Sequence, residues 1–181
     1  MRLKAGVVAV ALLSLLAASL VKAAAPENSA ELVRFVGLSG EVMPGVVADV
    51  QPLAVADSLT GVAIDRDPGP PFLVLRIGLT TRLDTYTSLR LRVLSDGVAY
   101  GSAESVFAPD PGFRSTRDVA FMMPLEAMAG SHLVIEQTAF VIGIHQRTDF
   151  DLGLTPQRVD ELRAATASPL KLQSDQTEVA P

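Results

Sequence analysis

Few residues of this sequence belong to the types that commonly carry out chemistry. The 181 residues include two histidines and no cysteine, which excludes disulfides, thiolate metal sites and thiol catalysis. His132 and His145 are predicted to lie near strand ends, and Met122, Met123 and Met128 add thioethers, which suit Cu(I). Their spacing matches no pattern of metal ligands, and methionine also fills apolar cores. We therefore predict no metal site and no cofactor.

Two pairs of aspartates are the next candidates. Asp65 and Asp67 lie in a proline-rich loop, whereas Asp149 and Asp151 alternate on a strand and so share one of its faces. Calcium requires six or more oxygen ligands, and neither segment has the spacing of a calcium loop. The sequence also lacks Gly-x-Ser-x-Gly and His-Glu-x-x-His motifs. We predict that the protein is not an enzyme and has no catalytic residues.

Arginines offer a better candidate for recognition. Beyond Lys22 the chain has 12 of its 15 cations, and 11 of these are arginine. Arg90 and Arg92 are predicted to project from one face of a strand, and Arg76 joins them if the run 72–80 lies alongside. The planar guanidinium suits interfaces and phosphate-bearing groups, although arginines also form ordinary solvated faces. The sequence thus predicts an interaction surface formed by Arg76, Arg90 and Arg92.

The overall charge limits which partners such a surface can have. The formal net charge is −5, and the part beyond Lys22, with 12 cations against 20 anions, has a net charge of −8. General nucleic-acid binding requires a basic surface. We therefore expect no nucleic-acid partner.

The elements that position these residues are predicted to be strands. Short apolar runs alternate with turn signals at intervals of roughly 8–12 residues, which is typical of antiparallel sandwiches and barrels. Residues 88–94 alternate most clearly, and Asp96-Gly97 then predicts a tight hairpin. Pro52 places the run 46–57 at a sheet edge or across a bulge, and Gly78 indicates a bulge or close packing.

The two ends of the chain differ from this pattern. Thr155-Pro156 is a helix start, so a short helix is predicted over 155–167, followed by a disordered tail over 168–181. At the N-terminus, Arg2 and Lys4 precede an uncharged run over residues 5–21. As a helix this run is about 25 Å long, slightly short of a hydrocarbon core of about 30 Å. Residues 1–25 are therefore predicted to be a signal anchor or a cleaved signal peptide.

Several turn and core motifs resemble those of a known family. They are the apolar strand at 72–79, the hairpin Ser95-Asp96-Gly97-Val98-Ala99-Tyr100, the Pro111-Gly112 loop, Phe121-Met122-Met123-Pro124 and the closing segment at 148–154. Together they resemble the small exported domains called telokin-like, which are common in GC-rich Gram-positive bacteria. The similarity covers residues 40–154 and implies an immunoglobulin-type sandwich and a non-catalytic accessory role at the cell surface. No functional residue can be carried over, and the cysteine that follows the signal in lipid-modified members is absent here.

The predicted fold is all-β: an immunoglobulin-like antiparallel β-sandwich of about seven to nine strands. One N-terminal apolar helix precedes it and a short C-terminal helix follows. Residues 26–39 are predicted to be a linker and first strand, and residues 40–154 the sandwich domain.

The predicted location is the cell membrane, crossed once by residues 5–21, with the N-terminus cytoplasmic and the domain outside; the alternative is secretion after cleavage. The predicted function is an accessory module that binds another membrane or envelope protein, as a subunit or partner of a transporter or cell-envelope complex. A secreted domain that binds a small ligand or an envelope polymer is the second hypothesis, and a hydrolase is the third.

Overall fold

The computed structural model describes residues 29–36, 39–40, 42–62, 69–81, 87–102, 106–107, 109–139 and 144–180. These residues contain ten strands, one 3-10 turn at Leu125–Ala127 and one α-helix. The strands are β1 Ser29–Val36, β2 Val42–Ala56, β3 Phe72–Thr81, β4 Thr87–Ser95, β5 Val98–Gly101, β6 Val106–Phe107, β7 Phe113–Met122, β8 His132–Ala139, β9 Ile144–Asp151 and β10 Gln176–Val179; the helix is α1 Pro156–Ala165. The apolar helix predicted over residues 5–21 lies outside the described residues.

The strands form two antiparallel sheets. The first sheet has the order β1-β2-β3-β7-β10, and the second has the order β5-β4-β8-β9, with β6 also paired to β4. The prediction of an all-β protein with two sheets and one short C-terminal helix is therefore confirmed. The described residues contain ten strands in place of the predicted seven to nine, because β6 has only two residues and β10 falls in the segment predicted to be disordered.

The hydrophobic core lies between the two sheets. Leu73, Leu75 and Ile77 of β3 pack in one cluster with Leu91 of β4 and Leu133 of β8. Alternate residues of a strand point to opposite faces, so the sequence alternation of β4 directly produces this inward face. The core thus holds the two sheets against each other.

Strand β3 is buried on both faces over its first half. Phe72 and Val74, which point away from the main core, form a second cluster with Ala54, Ala56 and Leu59. A continuous apolar run is the pattern of a strand covered on both sides. Part of that cover comes from Leu170 and Leu172, which are partly buried against this cluster.

Pro52 and Gly78 each match one of the alternatives that the sequence predicts, a bulge at Pro52 and close packing at Gly78. The β2–β3 register shifts between Pro52 and Ala54, and the β1–β2 ladder ends at the pair Ser29–Asp49. Pro52 therefore lies at a bulge, beyond the part of β2 that has a strand on both sides. At Gly78 a Cβ atom would lie 3.1 Å from Nη2 of Arg114, so this glycine allows close packing.

Local signals also define the hairpin and the helix. Asp96 and Gly97 have φ angles of 47° and 79°, the left-handed conformation required by a two-residue turn between twisted strands. At the start of α1, the Thr155 hydroxyl accepts a hydrogen bond from the Arg158 backbone N–H at 3.2 Å. The helix then buries Val159 and Leu162 in the main core.

The C-terminal segment differs from its prediction. Residues 168–180, here called the C-terminal strap, were predicted to be disordered, but they cross the outer face of the first sheet. Leu170 forms a parallel bridge with Leu59, and β10 pairs with β7. The physical reason is that the second apolar cluster and the edge of β7 offer partners that the strap's own composition does not reveal.

Candidate functional site

The three predicted surface arginines do not form one surface. Arg76 lies in β3 of the first sheet, whereas Arg90 and Arg92 lie in β4 of the second. Strand β3 is bordered by β2 and β7 and not by β4. Because all three alternate with residues of the main core, they project from the outer faces of opposite sheets. The prediction that Arg76 extends the Arg90–Arg92 surface is therefore wrong.

The outer face of the second sheet carries charges of both signs. Arg92 forms an ion pair with Glu136 of β8, and the exposed Arg90 lies directly opposite Glu136 in the register. Arg147 and Asp149, both on β9, form a second ion pair at 3.2 Å. Interspersed charges of this kind are typical of a solvated face, and exposed pairs contribute little to stability.

Arg76 belongs to a more buried arrangement on the first sheet. Its Nε donates to Oδ1 of Asp118 at 2.9 Å, and its Nη2 donates to Oδ2 of Asp118 at 3.3 Å and to Oε1 of Gln173 at 3.1 Å. The Asp118 side chain is only 4% exposed. The hydrogen bond with Asp118 raises the pKa of Arg76, an effect that burial opposes and the Asp118 charge reinforces.

Asp118 also holds the backbone of the C-terminal strap. Its Oδ2 accepts a hydrogen bond from the Gln173 backbone N–H at 2.9 Å, and its own backbone N–H donates to the Gln173 carbonyl at 3.2 Å. Arg76, Asp118 and Gln173 are here called the Asp118 clamp. It connects β3, β7 and the strap through one buried carboxylate.

The strap makes further contacts on either side of the clamp. Before it, the Leu170 backbone N–H donates to the Ser58 carbonyl at 2.9 Å, and Thr60 N–H donates to the Leu170 carbonyl at 2.9 Å. After it, Asp175 accepts a hydrogen bond from the Ser115 hydroxyl and forms an ion pair with Arg117. The β7–β10 ladder then runs from the pair Gln176–Thr116 to the pair Val179–Phe113.

Two grooves flank the strap. One, of about 470 Å³, lies between the strap, the end of α1 and the first sheet, and Arg76, Asp118 and Lys171 are among its lining residues. The other, of about 250 Å³, is lined mainly by apolar residues, among them Leu59, Phe72, Met122 and Leu172. Both grooves include Asp118 and Leu172, so the position of the strap determines the shape of each.

The histidines and methionines considered for metal binding are dispersed. Met123 and Met128 are completely buried. His132 is exposed and pairs with Asp151 at one end of the β8–β9 ladder, whereas His145 pairs with Thr138 near the other end. Among the residues that the structure describes, no group of three or more histidine, aspartate or glutamate side chains is placed to hold a metal ion. The loop aspartates Asp65 and Asp67 lie outside the described residues.

Comparison with family models, with curated proteins and with solved structures found no match. Within the described part of the chain, no helix combines the length and the apolar character that crossing a bilayer requires.

Of the three residues of the Asp118 clamp, the sequence singles out Arg76 but neither Asp118 nor Gln173. Asp118 and Gln173 are separated by 55 positions in the chain, and no spacing rule joins them. The signal that was available is the continuous apolar run of β3, since it requires that something cover its outer face.

Proposed function

We propose that the chain is an extracytoplasmic interaction module with an immunoglobulin-like sandwich, tethered to the membrane by residues 5–21, that binds another membrane or envelope protein. The observation that carries the proposal is the free edge of the first sheet. All four residues of β10 are exposed, and β10 is the last strand of its sheet, so its outer side has no neighbouring strand among the described residues.

A free edge favours protein binding because of its backbone chemistry. The N–H and C=O groups on the outer side of an edge strand are unpaired, and an extended segment of another protein can pair with them. Side chains next to the edge then provide specificity. Here Phe113 and Val179 face each other across the β7–β10 ladder and remain 38% and 75% exposed, respectively.

The resemblance to telokin-like exported domains and the N-terminal apolar run support the location. A tether keeps the module close to partners in the same membrane and thereby raises its effective concentration. Under this proposal the charged outer face of the second sheet remains solvated and the first sheet makes the contact.

Site-specific photo-cross-linking in the native host tests the proposal. A photoreactive residue in place of Thr177, on β10, is expected to give one adduct of defined size in the membrane fraction. The matched control carries the same residue in place of the exposed Arg90 and is expected to give no such adduct. Equal adducts from both positions, or adducts from Arg90 alone, would overturn the assignment of the binding edge.

The tether is tested separately by N-terminal sequencing and fractionation of the full chain. Retention of residues 5–21 in the membrane fraction is expected. A mature protein that begins near Ala24 and is found in the medium would refute the tether and favour the secreted alternative.

A further inference from the structure

We propose that the edge of β7 is a binding site for an extended acidic segment of a partner protein. In the structure this site is occupied by the chain's own C-terminal strap. The partner segment binds by replacing the strap. The proposal rests on the proposed function only in taking the ligand to be another protein. It moves the contact from the outer side of β10 to the edge of β7 that β10 covers, and it adds the chemistry of the partner segment.

Residues 113–117 of β7 carry two arginines, and residues 175–179 of the strap beside them carry two acids. Arg117 forms an ion pair with Asp175 of the strap. Arg114 lies directly opposite Glu178 in the β7–β10 register, and its Nη2 forms an ion pair with Asp49 of β2 at 3.4 Å. Charge complementarity of this kind selects partners and fixes their register. A segment without an acid at the position of Asp175 would lose the ion pair with Arg117 and the hydrogen bond from Ser115, so the site favours acidic segments.

An apolar requirement accompanies the charges. Leu170 and Leu172 pack on the cluster that contains Leu59, Phe72 and Val74. Together the contacts define a ligand pattern of two apolar residues two positions apart, followed by acids three and six positions after the second. Between the apolar residues and the acids, Asp118 forms hydrogen bonds with both the backbone N–H and the carbonyl of Gln173.

The strap is also held in a way that permits replacement. Residues 174–179 are all exposed, and the ladder that holds β10 consists of four residue pairs along one side of β7. Segments with little buried apolar surface open at a low free-energy cost. A strap that detaches exposes the edge of β7 and part of the second apolar cluster. A partner strand of matching pattern can then form the same backbone hydrogen bonds and apolar contacts that the strap has lost.

The competition between strap and ligand provides the test. The probe is a fluorescent synthetic peptide with the sequence of residues 168–180, titrated by anisotropy into the full chain. The chain's own strap competes at a high effective concentration, so weakening it strengthens binding of the probe. In the full-length variant Asp175→Ala/Glu178→Ala we expect the apparent affinity for the peptide to rise by about tenfold or more over the unmodified chain.

Two controls assign the binding to this edge. When Arg117→Ala is added to the Asp175→Ala/Glu178→Ala variant, we expect the increase in peptide affinity to be lost. Arg147→Ala, on the outer face of the second sheet, is expected to leave that increase unchanged. A peptide carrying Asn and Gln at the positions of Asp175 and Glu178 leaves the protein itself unaltered and is expected to bind about tenfold more weakly.

Three results would overturn the inference. They are equal binding of the acidic and neutral peptides, no peptide binding to the strap-weakened chain, and dimers of that chain that exclude the peptide, which would assign the edge to a second copy. A persistent adduct at Thr177 without peptide binding would refute this inference alone. Peptide binding without any cellular adduct would refute the proposed function alone.

Discussion

Asp118 shows how one residue can join three parts of a fold. A buried carboxylate is costly unless it is both paired and hydrogen-bonded. Asp118 meets both conditions, because the Arg76 guanidinium and the Gln173 backbone N–H both donate to it. Its position on β7 thereby fixes the distance between β3 and the C-terminal strap.

The first prediction concerns this carboxylate. Asp118→Asn retains the shape of the side chain but removes the charge that Arg76 and Gln173 recognise, so we expect the free energy of unfolding to fall by about 1–3 kcal/mol. Urea unfolding followed by circular dichroism measures the change. Asp149→Asn, which removes an exposed ion pair with Arg147, is the matched control and is expected to change stability by less than about 1 kcal/mol. Equal losses in both variants would contradict the clamp.

The second prediction follows from the raised pKa of Arg76. A cation whose pKa is higher in the folded state contributes stability at every pH below its unfolded value, and the contribution is lost only as the pH rises through the folded value. The loss of stability caused by Arg76→Gln is therefore expected to be the same near pH 7 and near pH 10. Urea unfolding at both values measures it. A loss that disappears by about pH 10 would contradict the assignment.

The arginines also show what sequence reasoning can and cannot find at this scale. Alternation correctly placed Arg90 and Arg92 on one face, because period-two patterning is local. The association with Arg76 failed because strands that follow each other in a chain usually pair, whereas β3 and β4 lie in different sheets. The contact between Asp118 and Gln173 spans 55 positions and has no local signature.

The elements that the sequence predicts best are those whose signals lie within a few consecutive residues. Asp96-Gly97 defines the β4–β5 hairpin, and Thr155-Pro156 starts α1. The prediction that the C-terminal tail is disordered was wrong because the ordered conformation of the strap depends on an apolar cluster formed by residues of other strands. Phe72 and Val74, next to Leu73 and Leu75 in one run, were the indication that the outer face of β3 needs a cover.

The hairpin gives the third prediction. Gly97 has a φ of 79°, a conformation that costs a residue with a Cβ atom about 1–2 kcal/mol. Gly97→Ala is therefore expected to lower the free energy of unfolding by about that amount. Gly101→Ala is the matched control in the same hairpin, since a Cβ there meets nothing within 4 Å and no left-handed φ is required. Thermal unfolding compares the two, and similar effects would contradict the turn geometry.

The helix gives the fourth prediction. Thr155→Ala removes the side-chain oxygen that accepts from Arg158 N–H, and loss of such a cap costs about 1 kcal/mol. Thr155→Ser keeps the oxygen and is expected to retain most of the stability. Denaturant unfolding of the two variants measures the difference. If serine were as destabilising as alanine, the hydroxyl could not be the source of the effect.

At the scale of the whole molecule, the main core connects both sheets and the helix. Residues of β3, β4, β8 and α1 share one cluster of buried side chains. The elements that contribute to this cluster are therefore expected to unfold together. The sequence predicted this all-β class because alternation and turn signals recur along the chain, but strand order depends on distant pairings that a single sequence does not encode locally.

The fifth prediction tests this shared core. Phe121 is completely buried, and replacement of a core phenylalanine by alanine costs about 3–5 kcal/mol. Phe121→Ala is expected to lower the unfolding midpoint measured by circular dichroism and by tyrosine fluorescence by the same amount. Val179→Ala, at a side chain that is 75% exposed, is the control and is expected to have an effect within about 0.5 kcal/mol. Separate midpoints for the two probes would contradict a common core.

The sheet order also determines how the protein transmits force. Strands β1 and β10, the first and last described strands, form the two edges of the same sheet, about 19 Å apart at four spacings of about 4.8 Å. A load applied between β1 and β10 therefore crosses the hydrogen-bonded ladders of the first sheet in series. The second sheet lies outside that line of force, so the weakest ladder of the first sheet sets the strength of the mechanical link.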